Sequence, residues 1–162
     1  MNLILLRHGE SEWNFQNKFT GWTDVSLTKN GIEEARFSGQ QLLEKKIRIK
    51  TIYTSLLSRA VETTKIVSEI INFPIENIEY SWRLNERHYG ALQGLNKAQT
   101  AAKYGEKQVQ IWRRSYDIPP PQLEVDDHRN PKLQEKFQNI NYTLPSSTFF
   151  ILAPLLSSKK CS

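Results

Sequence analysis

Three consecutive residues, Arg7-His8-Gly9, put a guanidinium, an imidazole and a backbone N–H at one point of the chain. Those are the needs of a phosphate site. A neutral imidazole held in one tautomer can attack phosphorus, an arginine fork can grip two phosphate oxygens, and glycine lets an anion approach the main chain closely. Taken alone, the triplet reads more readily as a packed or solvent-satisfied histidine beside a surface arginine. Further groups change that weighing. Ser58-Arg59 opens an expected helix, where backbone N–H groups and the positive dipole end already favour an anion; the alternative is an arginine paired with a carboxylate. Glu86-Arg87-His88-Tyr89-Gly90 follows an expected strand, and Lys97, Arg113 and Arg114 add cations, although Arg113-Arg114 by charge alone is equally a solvated helix face.

The elements that must position these groups are read from periodicity. Residues 2–6 form a short continuous apolar run, expected as a buried strand that delivers the polar loop after it. From Thr28, a natural N-cap, Ile32, Ala35, Gly39, Leu42 and Leu43 recur at helical spacing, which predicts a helix to about residue 46. Residues 51–54 read as a second strand. Ser58 is expected to cap a helix carrying Val61, Thr64, Val67 and Ile71, ended by Asn72 and Pro74, and residues 78–82 read as a third strand. This alternation predicts an α/β fold, a mostly parallel sheet flanked by helices, with functional loops at the carboxyl ends of the strands. His8, Ser58-Arg59 and Glu86 all fall just beyond such ends. Residues 96–104 and 107–114 read as two short helices separated by Gly105, and Ile118-Pro119-Pro120-Pro121 begins a long irregular loop.

Composition bounds the function. The chain has 162 residues, of which 38% are hydrophobic, with 7 prolines against 7 glycines, so it is one ordinary domain and not collagen-like, mucin-like or wholly disordered. The single cysteine, Cys161, cannot form an internal disulfide, and the first residues lack the features of a secretory signal; a cytoplasmic address is expected. Lys and Arg number 22 against 17 acidic residues, a net charge of +5, which suits an anionic partner. The basic residues are scattered among acidic ones, so an anionic small molecule is expected and nucleic acid is not. His8, His88 and His128 lack a ligand spacing, so no metal is expected. Residues 149–156 are shorter than the ~20 apolar residues of a membrane span, and Pro154 interrupts them.

Several motifs agree in order and spacing: Leu6-Arg7-His8-Gly9-Glu10-Ser11-Glu12-Trp13-Asn14, Phe19-Thr20-Gly21-Trp22-Thr23-Asp24, Thr54-Ser55 with Arg59-Ala60, the long run 82–97, and Trp112-Arg113-Arg114-Ser115-Tyr116. Over roughly residues 2–130 the chain resembles the 2,3-bisphosphoglycerate-dependent phosphoglycerate mutases of the histidine phosphatase superfamily. The resemblance implies that 3-phosphoglycerate and 2-phosphoglycerate are interconverted, in glycolysis and gluconeogenesis, through a phosphohistidine primed by 2,3-bisphosphoglycerate. In it His8 is the phosphorylated nucleophile and Glu86 the proton donor and acceptor. Arg7, Arg59, Asn14, Thr20 and Gly21 hold phosphate and substrate oxygens, while Arg87, Tyr89, Lys97, Arg113 and Arg114 clamp the second phosphate or the carboxylate. The loose transition state of phosphoryl transfer makes such electrostatic positioning the main source of rate. Homo-oligomers occur in the family and self-association is among the expectations.

The pattern breaks toward the end of the chain. The family has a second strand-end motif, His-Gly-Asn-Ser, and this sequence has no His-Gly pair other than His8-Gly9. Residues 1–145 are read as an incomplete mutase-like domain and 146–162 as an aperiodic tail outside the family pattern, a reading that points to truncation or frameshift and a missing C-terminal part of the fold. Loss of one preorganised donor to the phosphoryl oxygens costs about 2.7 to 4 kcal/mol of transition-state stabilisation. Two alternatives follow: an inactive remnant that binds phosphoglycerates, or a bisphosphoglycerate mutase or phosphatase in which water replaces the acceptor hydroxyl.

Overall fold

The structure, a computed structural model, describes residues 3–138. In chain order its elements are α1 (Glu12–Phe15), α2 (Lys29–Glu44), β1 (Ile52–Thr54), α3 (Ser58–Ile70), β2 (Ile78–Tyr80), α4 (Lys97–Tyr104), α5 (Glu106–Arg114) and α6 (Glu135–Gln138), with short 3-10 turns between them. The tail assigned to residues 146–162 lies outside the described residues.

Strands β1 and β2 run parallel with Ile52 opposite Ile78, Tyr53 opposite Glu79 and Thr54 opposite Tyr80, and α3 is the crossover between them. This is the βαβ unit that the alternating pattern predicts. Residues 3–6 differ from expectation. They carry no strand, and Leu3 and Leu5 are 71% and 84% exposed. The physical reason is that an apolar run demands cover without supplying it: a strand forms on a ladder partner, and among the described residues β1 and β2 pair with each other.

Helix α2 starts as its sequence requires, Thr28 Oγ1 accepting the Gly31 N–H at 3.0 Å. Its first turn lies against the loop that carries His8. A Cβ on Gly9 would sit 2.1 Å from the Gly31 carbonyl oxygen, and one on Gly31 would sit 2.1 Å from the Glu10 carbonyl oxygen. Two glycines therefore let the main chains touch where any side chain would separate them. Further along, Gly39 meets Ile70 and closes α2 against α3. Helices α4 and α5 break at Gly105, whose φ of 84° serves as the end of one and the entry to the other.

Helix α3 corrects one boundary. Ser58 is its first helical residue rather than its cap; Leu57 occupies the cap position with no side-chain hydrogen bond. The core divides into two clusters, Trp22, Leu57, Trp82 and Phe137 on one side and Phe19, Leu92 and Val109 on the other. Phe19 and Trp22 thus anchor the two ends of one short segment in different clusters. Thr20 and Gly21, between them, are both buried.

Candidate active site

His8 sits at the mouth of the loop packed on α2, half-buried. Its Nδ1 lies 2.7 Å from the Gly9 carbonyl oxygen, an atom that can only accept, so the neutral ring carries its proton on Nδ1 and leaves Nε2 as an acceptor. Arg59 Nε donates to that Nε2 at 3.3 Å. Burial lowers the His8 pKa below its ordinary value, the Gly9 carbonyl opposes this, and the Arg59 charge lowers it further. The ring is neutral at pH 7.

The Arg59 side chain is fully buried and fixed by the main chain around it. Nη2 donates to the Gly21 carbonyl oxygen at 2.8 Å and to Glu86 Oε2 at 2.9 Å, and Nη1 donates to the Thr23 carbonyl oxygen at 3.2 Å. Gly21 can present its carbonyl in this way because its φ is +58°, and a Cβ there would come within 2.5 Å of Gln93 Oε1. One guanidinium therefore joins His8 to Glu86, the two groups that sequence places 78 positions apart.

The remaining expected residues fall into two sets. Arg7 is exposed beside His8, and its charge acts on both His8 and Lys97. Lys97, at the start of α4, has its pKa lowered by burial and by Arg113, with Glu86 opposing. Tyr89 packs on Phe19 with ring centroids 5.2 Å apart; burial raises its pKa, then Glu86 raises it further while Arg113, Arg87 and Arg114 oppose, so it keeps its proton and can donate. Thr20 is buried with its Oγ1 unpartnered among the described residues. These groups form a basic, partly dry surround. Other expected residues are engaged locally. Asn14 Oδ1 accepts from Ser11 N and Ser11 Oγ at 3.2 and 3.0 Å in the capping box of α1. Arg87 donates from Nη1 to the Ser115 carbonyl and from Nη2 to the Ile118 carbonyl. Arg113 and Arg114 end α5, where positive charge suits the helix terminus, and the charges of both still reach Tyr89.

One expectation at Gly9 is overturned. Its N–H is not open to an anion, because it donates to Thr63 Oγ1 at 3.1 Å. Thr63, buried on α3 one turn after Arg59, itself donates to the Arg59 carbonyl at 2.8 Å and so ties the His8 loop to the arginine helix. Sequence reasoning missed Thr63, and also Gln93, whose Oε1 accepts the Trp22 N–H at 2.7 Å. Trp22 in turn donates from Nε1 to the Glu86 carbonyl at 2.6 Å. No local sequence signal marks Thr63, because its partner Gly9 lies 54 residues away. Among the described residues, no group of three His, Cys, Asp or Glu side chains could hold a metal ion, and no helix is long and apolar enough to cross a membrane.

A parallel βαβ unit whose crossover helix carries a buried arginine meets a tautomer-locked histidine and a carboxylate at one point of this α/β fold. Residues 3–148 match the histidine phosphatase superfamily (branch 1), and the chain belongs to that family. It is 54% identical over 138 residues to a 2,3-bisphosphoglycerate-dependent phosphoglycerate mutase of Bacteroides fragilis, a match covering 85% of this chain and 56% of the relative. It is 51% identical over 146 residues to the enzyme of the same name in Elusimicrobium minutum, covering 90% and 59%. The chain thus spans just over half the length of these relatives. Among solved structures, mycobacterial glucosyl-3-phosphoglycerate phosphatase is similar at a TM-score of 0.58 and 27% identity, over 70% of this chain and 50% of that one. Bacillus stearothermophilus YhfR is similar at a TM-score of 0.56 and 31% identity, over 65% and 50%.

Proposed function

We propose that the chain carries the phosphohistidine chemistry of a phosphoglycerate mutase, with His8 as nucleophile, Glu86 as proton donor and acceptor, and phosphoglycerates as the anionic small-molecule substrates in the cytoplasm. The observation that carries this reading is the His8–Arg59–Glu86 chain, in which a neutral Nε2 and a carboxylate meet at one buried guanidinium. The identity to mutases of that name supports the substrate class.

The residues present fit a bisphosphorylated ligand. Arg7 and Arg113 both lie close enough to act electrostatically on Lys97, Arg7 also acts on His8, and the buried Thr20 hydroxyl is unpartnered among the described residues. When bound, 2,3-bisphosphoglycerate supplies the phosphoryl group that primes the histidine. The Gly9 carbonyl keeps the Nδ1 proton in place, so Nε2 meets phosphorus with its lone pair and needs no separate base. Arg59 then lies beside the new P–N bond, positioned to hold an equatorial phosphoryl oxygen. Glu86, 37% exposed at its side chain, takes and returns the proton of the substrate hydroxyl. Arg7, Lys97, Tyr89 and Arg113 set the position of the distal anionic group, and cations do the charge stabilisation that a metal does elsewhere.

A second reading is favoured by a particular observation. The similar solved structures include a phosphatase, and the partly exposed Glu86 gives water access to the same position. Incubating the 162-residue chain with 2-phosphoglycerate and a trace of 2,3-bisphosphoglycerate separates the two by phosphorus NMR. The mutase reading expects 3-phosphoglycerate to accumulate with little inorganic phosphate. Inorganic phosphate as the main product would replace it with the phosphatase, and neither product would contradict both.

A further inference from the structure

Helix α3 lacks the usual device for holding its first turn. Its cap position is Leu57, whose side chain accepts nothing and is buried in the Trp22 cluster instead. The acceptor arrives from across the fold. Asp24 Oδ1 accepts the Ser58 backbone N–H at 2.7 Å, and Asp24 Oδ2 accepts the Ser58 hydroxyl at 2.6 Å. Lys136 Nζ on α6 pairs with Oδ2 at 2.5 Å. Burial pushes the Asp24 carboxyl up, but Lys136 and the two Ser58 donors outweigh it and hold it below its ordinary value.

The residue after Ser58 is Arg59, and the residues just before Asp24 are the ones that hold the Arg59 guanidinium. Gly21 and Thr23 offer their carbonyls to Nη2 and Nη1. Segment 21–24 therefore grips Arg59 twice, by two carbonyls on the guanidinium and by a carboxylate on the backbone one residue earlier. We propose that Asp24 is a positioning residue: acting as the missing cap of α3 from a distant loop, it fixes Arg59 against His8 Nε2. A surface carboxylate that only stabilised the helix would not have to come from the segment that also binds the arginine.

The claim about phosphoryl transfer rests on the reading of His8 and Arg59 given above, but the position of Arg59 can be tested without it. In the full 162-residue chain the His8 imidazole, assigned by NMR with the help of His8→Gln, reports where Arg59 lies, since burial first and then that charge hold its titration down. Asp24→Ala lets Arg59 retreat, so the His8 titration moves to higher pH and labelling of His8 by 2,3-bisphosphoglycerate slows about 10- to 100-fold. Asp24→Asn keeps an oxygen for the Ser58 N–H and restores both readouts. Lys136→Met removes the ion pair but not the cap and leaves both as in the parent chain.

Should Asp24→Ala fail to fold, Ser58→Pro removes the same two bonds from the other side. Proline suits the first helical residue, and Leu57, at ψ 131°, is already extended as a residue before proline must be. Val67→Ala on α3, which weakens the core without touching the site, sets the control, with no His8 shift expected. Asp24→Ala and Ser58→Pro variants whose His8 titrates as in the parent would overturn the proposal. A shifted titration in a chain that takes no label from 2,3-bisphosphoglycerate would uphold the positioning role and remove the phosphoryl-transfer reading.

Discussion

Arg59 serves four acceptors from three nitrogens: His8 Nε2, the Gly21 and Thr23 carbonyls, and Glu86 Oε2. A lysine ammonium has three donors on a single atom and cannot span that arrangement. Arg59→Lys is expected to slow His8 labelling by roughly 10² to 10³, the cost of losing a preorganised donor, while far-UV circular dichroism stays that of the parent. Labelling at the parental rate would mean that charge alone suffices. The neighbouring imidazole gives a pH prediction of definite sign. Burial first, then Arg59, depresses the His8 pKa below 6.5, so the neutral nucleophile persists to lower pH than a free histidine would allow. The labelling rate is therefore expected to be flat above pH 7 and to fall only below 6.5; an inflection above 6.5 would contradict the burial of the ring.

At the scale of elements, helix α2 holds two glycines that face different neighbours. At Gly39 an added Cβ would lie 3.0 Å from Ile70 Cδ1 and 3.1 Å from Ile70 Cβ, whereas at Gly31 it would lie 2.1 Å from the Glu10 carbonyl oxygen. Alanine gains about 1 kcal/mol of helix propensity at either position. The overpacking at Gly39 costs about 1 to 3 kcal/mol, so Gly39→Ala is expected to destabilise by about 1 kcal/mol net in urea unfolding. Gly31→Ala must move backbone and is expected to cost more than that and to displace the His8 loop; equal effects of the two would argue against the close approach. Much of this element layer is legible in sequence. Thr28 as a cap, Gly105 as a break and the pair β1 and β2 around α3 follow from local signals of one or two turns. The remote cap at Asp24 and the Thr63 bond to Gly9 do not, because their partners are 34 and 54 residues distant and only the fold brings them together. The run at residues 3–6 misleads for the same reason: its apolarity is local, but the strand needs a neighbour that sequence period does not supply.

For the whole molecule, His88 is expected to contribute to the acid response. Its side chain is buried, its Nδ1 accepts the Gly90 N–H at 3.0 Å, and burial followed by the Arg129 charge lowers its pKa from 6.5 to about 4. The unfolded chain binds a proton at His88 near pH 6.5, and the folded chain does so only near 4, so stability falls as pH drops through that window. The gap corresponds to roughly 3 kcal/mol. Asp24 and Asp127 have lowered carboxyl pKa values, so their contributions are present above their ordinary value of 3.8 and are lost only below it. The two effects are separable by pH. His88→Asn retains an acceptor for Gly90 without a titrating ring, and is expected to flatten the decline of urea midpoints between pH 6.5 and 4; an unchanged slope would place the acid sensitivity elsewhere.

The proposed role of His8 as phosphoryl acceptor in this chain can be tested directly. The most direct measurement incubates the 162-residue protein with labelled 2,3-bisphosphoglycerate and quantifies acid-labile phosphate, with His8→Ala as control. Label is expected to approach one phosphate per chain, to map to His8 and to be absent from the control. A soluble, folded chain that takes up no label, or equal label in the control, would contradict it.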